Sequence, residues 1–393
     1  MKITNLVNCS GCGSCYSICP KSAITMIPNK EGFKIPIIDE SLCIKCFQCE
    51  KVCQVVNPIN KVEENTLAYA VVNKDSKIRQ ISSSGGVFSL IAKEILHRNG
   101  IVFGASFDEN FSVRHIAVDS EEELEQLYGS KYVQSDIGDC FKKCKEILQT
   151  GRYVLFSGTP CQISGLLNYL GRPYDNLVTV DLICHGVPSQ KIWQKYLNEQ
   201  KDKYKSDIKK VSFRNKDHGW GVFRLKIEFL NGKVFSVPQT EGSWMLTFNK
   251  DIMMRSSCYA CASKGISRRS DFTIGDLWGI NEFTPELNDN KGTSLVYLHS
   301  EKALKLFDNL KKQINFKKFD DIKAPCKYNA QLINSLKLST LRDKYFSYTE
   351  NHSFDNAFNT FVRDKWFIRW VKFIRKCLSK CKQLLLKIWR KVK

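Results

Sequence analysis

Residues 9–19, CSGCGSCYSIC, and residues 43–53, CIKCFQCEKVC, decide how this chain is read. Cys9, Cys12, Cys15 and Cys19 recur 34 residues later as Cys43, Cys46, Cys49 and Cys53, so one unit is written twice. Three thiolates within seven residues wrap one face of an iron-sulfur cube, and the fourth, set off by a short turn, extends to the cube of the other half. One cube then takes Cys9, Cys12, Cys15 and Cys53; the other takes Cys43, Cys46, Cys49 and Cys19. Zinc usually closes one tetrahedron with separated pairs of ligands, which suits an uninterrupted run of four poorly. Disulfides suit it no better, because 17 cysteines is an odd number and a chain of 393 residues is too large to need stapling.

The repeat resembles a bacterial two-cluster ferredoxin domain over about residues 1–58. Pro20 follows Cys19 as that pattern asks, but Gln54 follows Cys53 and the proline is delayed to Pro58. Between the halves, Ala23 to Ile27 and Lys34 to Ile38 read as a short hairpin around Asn29 to Gly32. The rest of the composition, 43% hydrophobic and 25% charged, is that of a folded protein with more than one domain. No apolar run approaches the ~20 residues that span a bilayer, and a cysteine-rich start leaves no room for a signal peptide, so a cytoplasmic location is expected. Of the net charge of +20, residues 361–393 carry +11. The body is thus only mildly basic, and a dedicated nucleic-acid binder is not expected.

After a charged linker at residues 60–65, apolar runs alternate with helical patterns. Strands are expected at Leu67 to Val72, Gly100 to Phe107, Val113 to Val118, Tyr153 to Ser157 and Val178 to Ile183. Helices are expected at Gly86 to Arg98, Ile137 to Leu148, Gln162 to Leu170 and Gln190 to Tyr204. An antiparallel element follows at Ile208 to Arg214, Phe223 to Phe229 and Lys233 to Val237, with Asn231-Gly232 as a turn. The expected fold class is α+β: a small two-cluster ferredoxin domain (1–60), an α/β layered domain (66–320), a helical connection (321–360) and a C-terminal helical tail (361–393).

Short motifs punctuate the second region. Ser82 to Gly86 opens a helix, where free N–H groups and the helix dipole suit a phosphate, or where a serine simply caps the helix. Gly129 to Ser135 (GSKYVQS) packs a cation, an aromatic and an amide into one loop. Gly158 to Gln162 (GTPCQ) puts Cys161 at the carboxyl edge of the sheet, where open α/β folds keep their sites. Cys184-His185-Gly186 ends another apolar strand, and Cys258-x2-Cys261 precedes RRSDFTIGDLWG (268–279). Those four thiols are open to zinc, dithiol or cluster readings on spacing alone. Lys131, Lys216, Arg224, Arg268 and Arg269 are candidates to meet a phosphate or carboxylate, and His218, in the loop RNKDHGW (214–220), is a candidate proton donor. Cys140, Cys144, Cys326, Cys377 and Cys381 share no pattern and read as packing thiols.

In order, SSSGG, GSKYVQS, GTPCQ, DLICHG, CYAC and RRSDFTIGDLWG resemble the β subunit of the hydrogenases and dehydrogenases that use coenzyme F-420, over about residues 66–300. Relatives include a plant reductase acting on 7-hydroxymethyl chlorophyll and bacterial proteins fused, as here, to a two-cluster ferredoxin. The resemblance implies FAD and a third 4Fe-4S cluster, with Cys161, Cys184, Cys258 and Cys261 as its ligands. It puts Ser84, Gly85, Gly86, Lys131 and Tyr132 on the motifs that hold FAD, with Lys131 and His218 as the catalytic candidates. The role of His185 is not fixed by it. It implies an oxidoreductase passing electrons between a ferredoxin-type carrier and a small acidic substrate or deazaflavin-like acceptor, by analogy in bacterial cell-surface polysaccharide metabolism. The rival reading is a relay subunit serving a separate catalytic partner.

The tail carries Phe367, Trp370, Val371, Ile374, Leu378, Cys381, Leu385 and Ile388 at three- and four-residue steps among many lysines and arginines. It reads as a basic amphipathic helix lying on an anionic membrane surface, at the inner face, or docked on protein.

Overall fold

The computed structural model describes residues 2–4, 6–58 and 66–363. The linker and the tail helix, beyond Arg363, lie outside the described residues. The N-terminal part holds helices Ser14–Ile18 and Gln48–Lys51 around an antiparallel hairpin, β1 (Ile24–Pro28) and β2 (Lys34–Ile38), with Ile24 opposite Ile38. The body contains β3 (Leu67–Asn73), β4 (Ile101–Phe107), β5 (Val113–Val118), β6 (Val154–Gly158) and β7 (Leu177–Leu182). A three-stranded antiparallel insert follows, β8 (Ile208–Asn215), β9 (Arg224–Phe229) and β10 (Val234–Pro238). The chain then returns as β11 (Phe272–Asp276), β12 (Ser294–Leu298) and β13 (Ile314–Lys318).

These strands form one eight-stranded sheet in the order β13-β3-β12-β11-β7-β6-β4-β5. Its centre, β11-β7-β6-β4, is parallel and both flanks are antiparallel. Alternation along the central strands explains why both faces are covered. Ile101, Phe103, Val154 and Phe156 pack under helices Cys140–Gln149 and Pro160–Leu170 on one face. Val102, Leu155, Val178 and Val180 pack under helices Val87–His97 and Glu301–Leu310 on the other. Each fully buried side chain such as Phe156 contributes about 1.5–3 kcal/mol. The segment expected as a helical connection is helical at Arg342–Asn351 and Phe354–Phe361 but holds only short 3-10 turns at residues 324–332. Among the described residues no helix is long and apolar enough to cross a membrane.

Helix Pro160–Leu170 positions both Cys161 and the ferredoxin loop. Thr159 and Gln162 form a capping box, Pro160 occupies the first turn and Gly171 (φ 71°) ends it. Cys161 and Gly165 stand one turn apart and therefore share a face. Against Gly165 sits the ferredoxin loop: Ser14 Oγ donates to the Gly165 carbonyl at 2.8 Å. Further ties hold the two parts together. Arg255 donates to the carbonyls of Cys9 (2.6 Å) and Lys34 (2.9 Å), and Arg342 makes a bidentate pair with Glu31 at 2.8 and 2.6 Å. Phe33, at the hairpin's edge, is 2% exposed and belongs to the core of the body.

A Cβ on residue 165 would lie 2.7 Å from Ser14 Oγ, 2.8 Å from Cys12 Cβ and 2.9 Å from Cys12 Sγ. Gly165→Ala should therefore destabilise the cluster-loaded protein by about 1–3 kcal/mol of overpacking, outweighing the ~1 kcal/mol that alanine gains in a helix. Guanidinium unfolding measures this, and an unchanged or raised midpoint contradicts the docking.

Candidate functional site

The eight N-terminal thiols fall into two groups. Cys9, Cys12, Cys15 and Cys53 line one small cavity of about 20 Å³ with Ile3, Leu6 and Met26. Cys19, Cys43, Cys46 and Cys49 line another of about 20 Å³ with Ala23, Ile24 and Ile38. Each group takes three cysteines from one repeat and one from the other. Burial pushes the Cys15 thiol far above its usual pKa, and Cys12, Cys9 and Cys53 add to the shift.

A third group gathers at the carboxyl edge of the parallel strands. Cys161 opens the helix after β6, Cys184 lies just beyond β7, and before β11 Cys258 lies in the 3-10 turn Ser256–Ala260 with Cys261 just after it. Burial raises Cys161 to about 12, with Cys261, Cys184 and Cys12 adding repulsion. Burial likewise raises Cys184 and Cys258 to about 12. Lys264, whose amine donates to the Cys184 carbonyl at 2.6 Å, and Arg268 oppose the shift at Cys184, and Arg255 opposes it at Cys258. Cations so placed would offset the negative charge of a thiolate-bound cluster and tune its potential. Among the described residues no group of three or more His, Cys, Asp or Glu side chains closes tightly enough to hold a single metal ion. A cube is larger than an ion and takes its four thiolates from further apart.

Gln54, the residue where the ferredoxin pattern has proline, links the first group to the third. Its Nε2 donates to the Cys161 carbonyl at 2.7 Å and to Ser10 Oγ at 3.3 Å. Asn168, on the same helix as Cys161, donates to the Val52 carbonyl at 3.1 Å and accepts from Arg269 at 2.5 Å.

Beside the third group opens a cavity of about 400 Å³, lined by Ser82 to Ser84, Gly86, Gly129 to Val133, Cys184, His185, Arg214 and Trp278 among others. Its walls meet at Arg214, which the sequence offered only as part of a loop. The guanidinium pairs with Asp276 at 2.8 and 3.0 Å and donates to Tyr132 Oη (3.1 Å) and the Ser83 carbonyl (3.0 Å). Trp220 Nε1 also donates to Asp276, at 2.8 Å, and its indole stacks on Trp278 with centroids 4.9 Å apart. Ser130 N–H donates to Ser83 Oγ at 2.6 Å, so the serine-glycine motif and the GSKYVQS loop form one wall.

The expected cofactor residues divide. Gly86 (φ 79°) caps helix Val87–His97 without a side-chain cap, and Gly86, Val87 and Phe88 all face the cavity. Ser84 also lines it, though its hydroxyl donates to the Thr293 carbonyl at 2.8 Å. Gly85 is outside the lining. A Cβ there would lie 2.4 Å from the Val71 carbonyl oxygen, so sheet packing accounts for it. Tyr132 forms a wall, edge-on to Phe248 at 5.0 Å. The Lys131 amine donates to the carbonyls of Gln126 (3.1 Å) and Tyr128 (2.9 Å), and burial lowers its pKa to about 7.

Two histidines border the cavity, of which His115 escaped the sequence reading. His115 is neutral, its pKa lowered to about 4 by burial; Nε2 donates to the Ser157 carbonyl at 2.8 Å, which leaves Nδ1 to accept from Ser135 Oγ at 2.6 Å. His185 lines the cavity with Nε2 2.6 Å from Asp251 Oδ1.

His218 is exposed and outside the cavity lining, so its reading as a proton donor there is withdrawn. The other cations expected to meet an anion are engaged elsewhere. Lys216 is buried against the carbonyls of Arg79, Ser84 and Lys291; Arg224 holds Ser236; Arg268 holds the carbonyls of Gly265 and Leu332. Cys140, Cys144 and Cys326 are buried, as packing thiols should be.

Residues 8–56 match the 4Fe-4S dicluster domain, and residues 151–322 match the family described as the C terminus of the coenzyme F-420 hydrogenase/dehydrogenase beta subunit. Over residues 151–322 the chain carries the C-terminal domain of that hydrogenase/dehydrogenase beta-subunit family. With its dicluster domain, the chain is an iron-sulfur electron-transfer protein of the F-420 hydrogenase/dehydrogenase type. It is 24% identical over 319 residues to the F subunit of F(420)H(2) dehydrogenase from Methanosarcina mazei, a match covering 78% of this chain and 83% of that protein. It is 36% identical over 62 residues to an uncharacterized polyferredoxin-like protein of Methanocaldococcus jannaschii, covering 14% of this chain and 37% of that one. A chain in the structure of the F-420-reducing nickel-iron hydrogenase complex of Methanosarcina barkeri aligns with TM-score 0.46 and 15% identity, over 70% of this chain and 91% of that one.

Gln54→Leu keeps the side chain's bulk and every cysteine while stripping the Cys161 carbonyl of its donor. Iron content should stay at the wild-type value while stability falls by about 1–3 kcal/mol. Thermal unfolding with parallel iron assay measures both, and unaltered stability contradicts the bridging role.

Proposed function

We propose that this chain passes electrons between a ferredoxin-type carrier and a small acidic or deazaflavin-like acceptor, using its two N-terminal clusters, a third 4Fe-4S cluster on Cys161, Cys184, Cys258 and Cys261, and FAD in the cavity. The observation that carries this reading is a succession of cysteine sets ending at a cavity. Cys12 lies against Gly165, one turn from Cys161, and Cys184 lines the cavity itself. When bound, the clusters supply one-electron carriers and FAD the exchange between single electrons and a hydride.

The chain's own residues fit such a flavin in three respects. The uncapped N-terminus of helix Val87–His97 offers N–H groups and the positive end of the dipole to a pyrophosphate. Tyr132, Phe248 and Trp278 give flat apolar walls to a ring system. Lys131, with a pKa near 7, holds a proton at Nζ below neutrality and surrenders it above. His185, oriented by Asp251, stands by Cys184 as a second polar group.

Anaerobically prepared protein should carry about twelve irons, four in each of three cubes, and one FAD. Cys261→Ser should lower iron to about eight while leaving the N-terminal clusters visible. Wild-type protein that holds only eight irons when fully loaded, or that releases no FAD on heating, contradicts the reading.

The amine of Lys131 is charged below about pH 7 and neutral above it, so it attracts a bound anion only on the acid side. FAD affinity of flavin-free protein should therefore weaken from pH 6 to pH 8 by on the order of tenfold, the value of one charged hydrogen bond. Lys131→Met should bind with a flat profile at the weaker level. Fluorescence titration measures it, and an equal slope in the variant contradicts the role given to Lys131.

A further inference from the structure

The two cysteine repeats share a backbone and differ in what they display. Gly11 (φ 67°) and Gly13 (φ 82°) recur 34 residues later as Lys45 (φ 56°) and Phe47 (φ 57°), all four in the left-handed region. Side chains other than glycine rarely adopt that conformation, so the second repeat holds strain that the first avoids. In the first repeat the reason for glycine is contact with the body: a Cβ on residue 11 would lie 2.7 Å from Nη1 of Arg255. The second repeat faces the other way. Residues 41–48 are exposed apart from Cys43, and the cysteine Cys46 is itself exposed. Leu42, Ile44 and Phe47 stand 50%, 57% and 50% exposed around it.

We propose that the loop of residues 41–48 is the docking surface for an acidic one-electron carrier protein, which exchanges electrons with the cluster on Cys19, Cys43, Cys46 and Cys49. The proposal rests on the cluster reading above. Three observations identify the occupant. An exposed cysteine ligand brings the cluster's edge to the surface, so the partner must hold a one-electron centre near its own surface. The apolar patch is small and belongs to a single loop, which matches the small interfaces of transient redox encounters. The third is charge. Lys45 stands at the centre of the patch, and together with exposed Lys2, Lys21 and Lys51 it outnumbers exposed Asp39 and Glu40. Half-buried Glu50 accepts from the Lys2 N–H at 2.7 Å and keeps its charge, which leaves four cations against three carboxylates around the patch. On a body that is itself mildly basic, that arrangement steers an acidic partner. The step is a single electron leaving the carrier's reduced centre for the oxidised cluster, with no bond made or broken.

The test uses the full, anaerobically loaded chain and the double variant Lys45→Gly, Phe47→Gly, which writes the first repeat's glycines into the second and so keeps its backbone. Stopped-flow reduction by a reduced two-cluster ferredoxin of low isoelectric point should slow about tenfold or more in the variant, while iron content and reduction by dithionite stay as in the wild type. The wild-type rate with that ferredoxin should also fall with added salt. Lys45→Glu, which leaves the apolar patch in place, should slow the same carrier as well. Wild-type rates in both variants with clusters intact, or a wild-type rate insensitive to salt, overturn the proposal. Should the outer cluster be missing from loaded wild-type protein by iron count and spin resonance, the cluster reading itself fails.

Discussion

The contact of Cys12 and Ser14 with Gly165 is the constraint on which the rest of this molecule depends. Glycine lets the ferredoxin loop lie directly on helix Pro160–Leu170, and the helical repeat then brings Cys12 within one turn of Cys161. Gln54 closes the gap from the other side through the Cys161 carbonyl. A larger residue at 165, or a proline at 54, would separate two cysteine groups that now stand close enough for Cys12 to help raise the pKa of Cys161. The inner ferredoxin group is thereby committed to the body, and the outer one is left facing solvent.

The parallel centre of the sheet does the complementary task. β6, β7 and β11 end at one edge, so Cys161, Cys184 and Asp276 converge there although they are far apart in sequence. Asp276 holds Arg214, Arg214 holds Tyr132 and the Ser83 carbonyl, and the cavity wall is thus tied to β11, which pairs with β7, the strand that leads to Cys184. A buried pair of this kind is costly to break, since loss of either partner strands a charge in a desolvated place. Both partners line the cavity, so the pair holds its wall fixed, which suits a protein whose task is electron transfer.

How far this was legible depends on how local each signal is. Cysteine spacing is local, and the eight N-terminal thiols group in the structure as the repeat requires. Strands β3 to β10 and the helix after β6 announce themselves by alternation, by capping or by Asn231-Gly232. β11, β12 and β13 were not foreseen. β13, with one buried residue out of five, has no hydrophobic alternation to detect, and β11 mixes Thr273 and Asp276 into a buried strand because their side chains meet polar partners from elsewhere in the fold. The same limit applies to the site. Lys216, Arg268 and Arg269 look like anion binders in sequence, but folding delivers them to backbone carbonyls, to an amide and, at Arg268, to the internal carboxylate of Asp181 at 3.7 Å. His218 faces solvent, whereas His115, which carried no motif of its own, and His185, whose motif left its role open, border the cavity. The departure at Gln54 was visible in the pattern, yet its meaning needed the position of residue 161.

The central claim is that three iron-sulfur centres stand in contact order, the inner ferredoxin cluster next to the third. Spin resonance of the dithionite-reduced, fully loaded chain tests it most directly. The account predicts a signal integrating to about three spins per chain, broadened by magnetic coupling between neighbouring clusters and simplified when Cys261 is replaced by serine. A signal of two spins, or of three that show no mutual coupling, would contradict it.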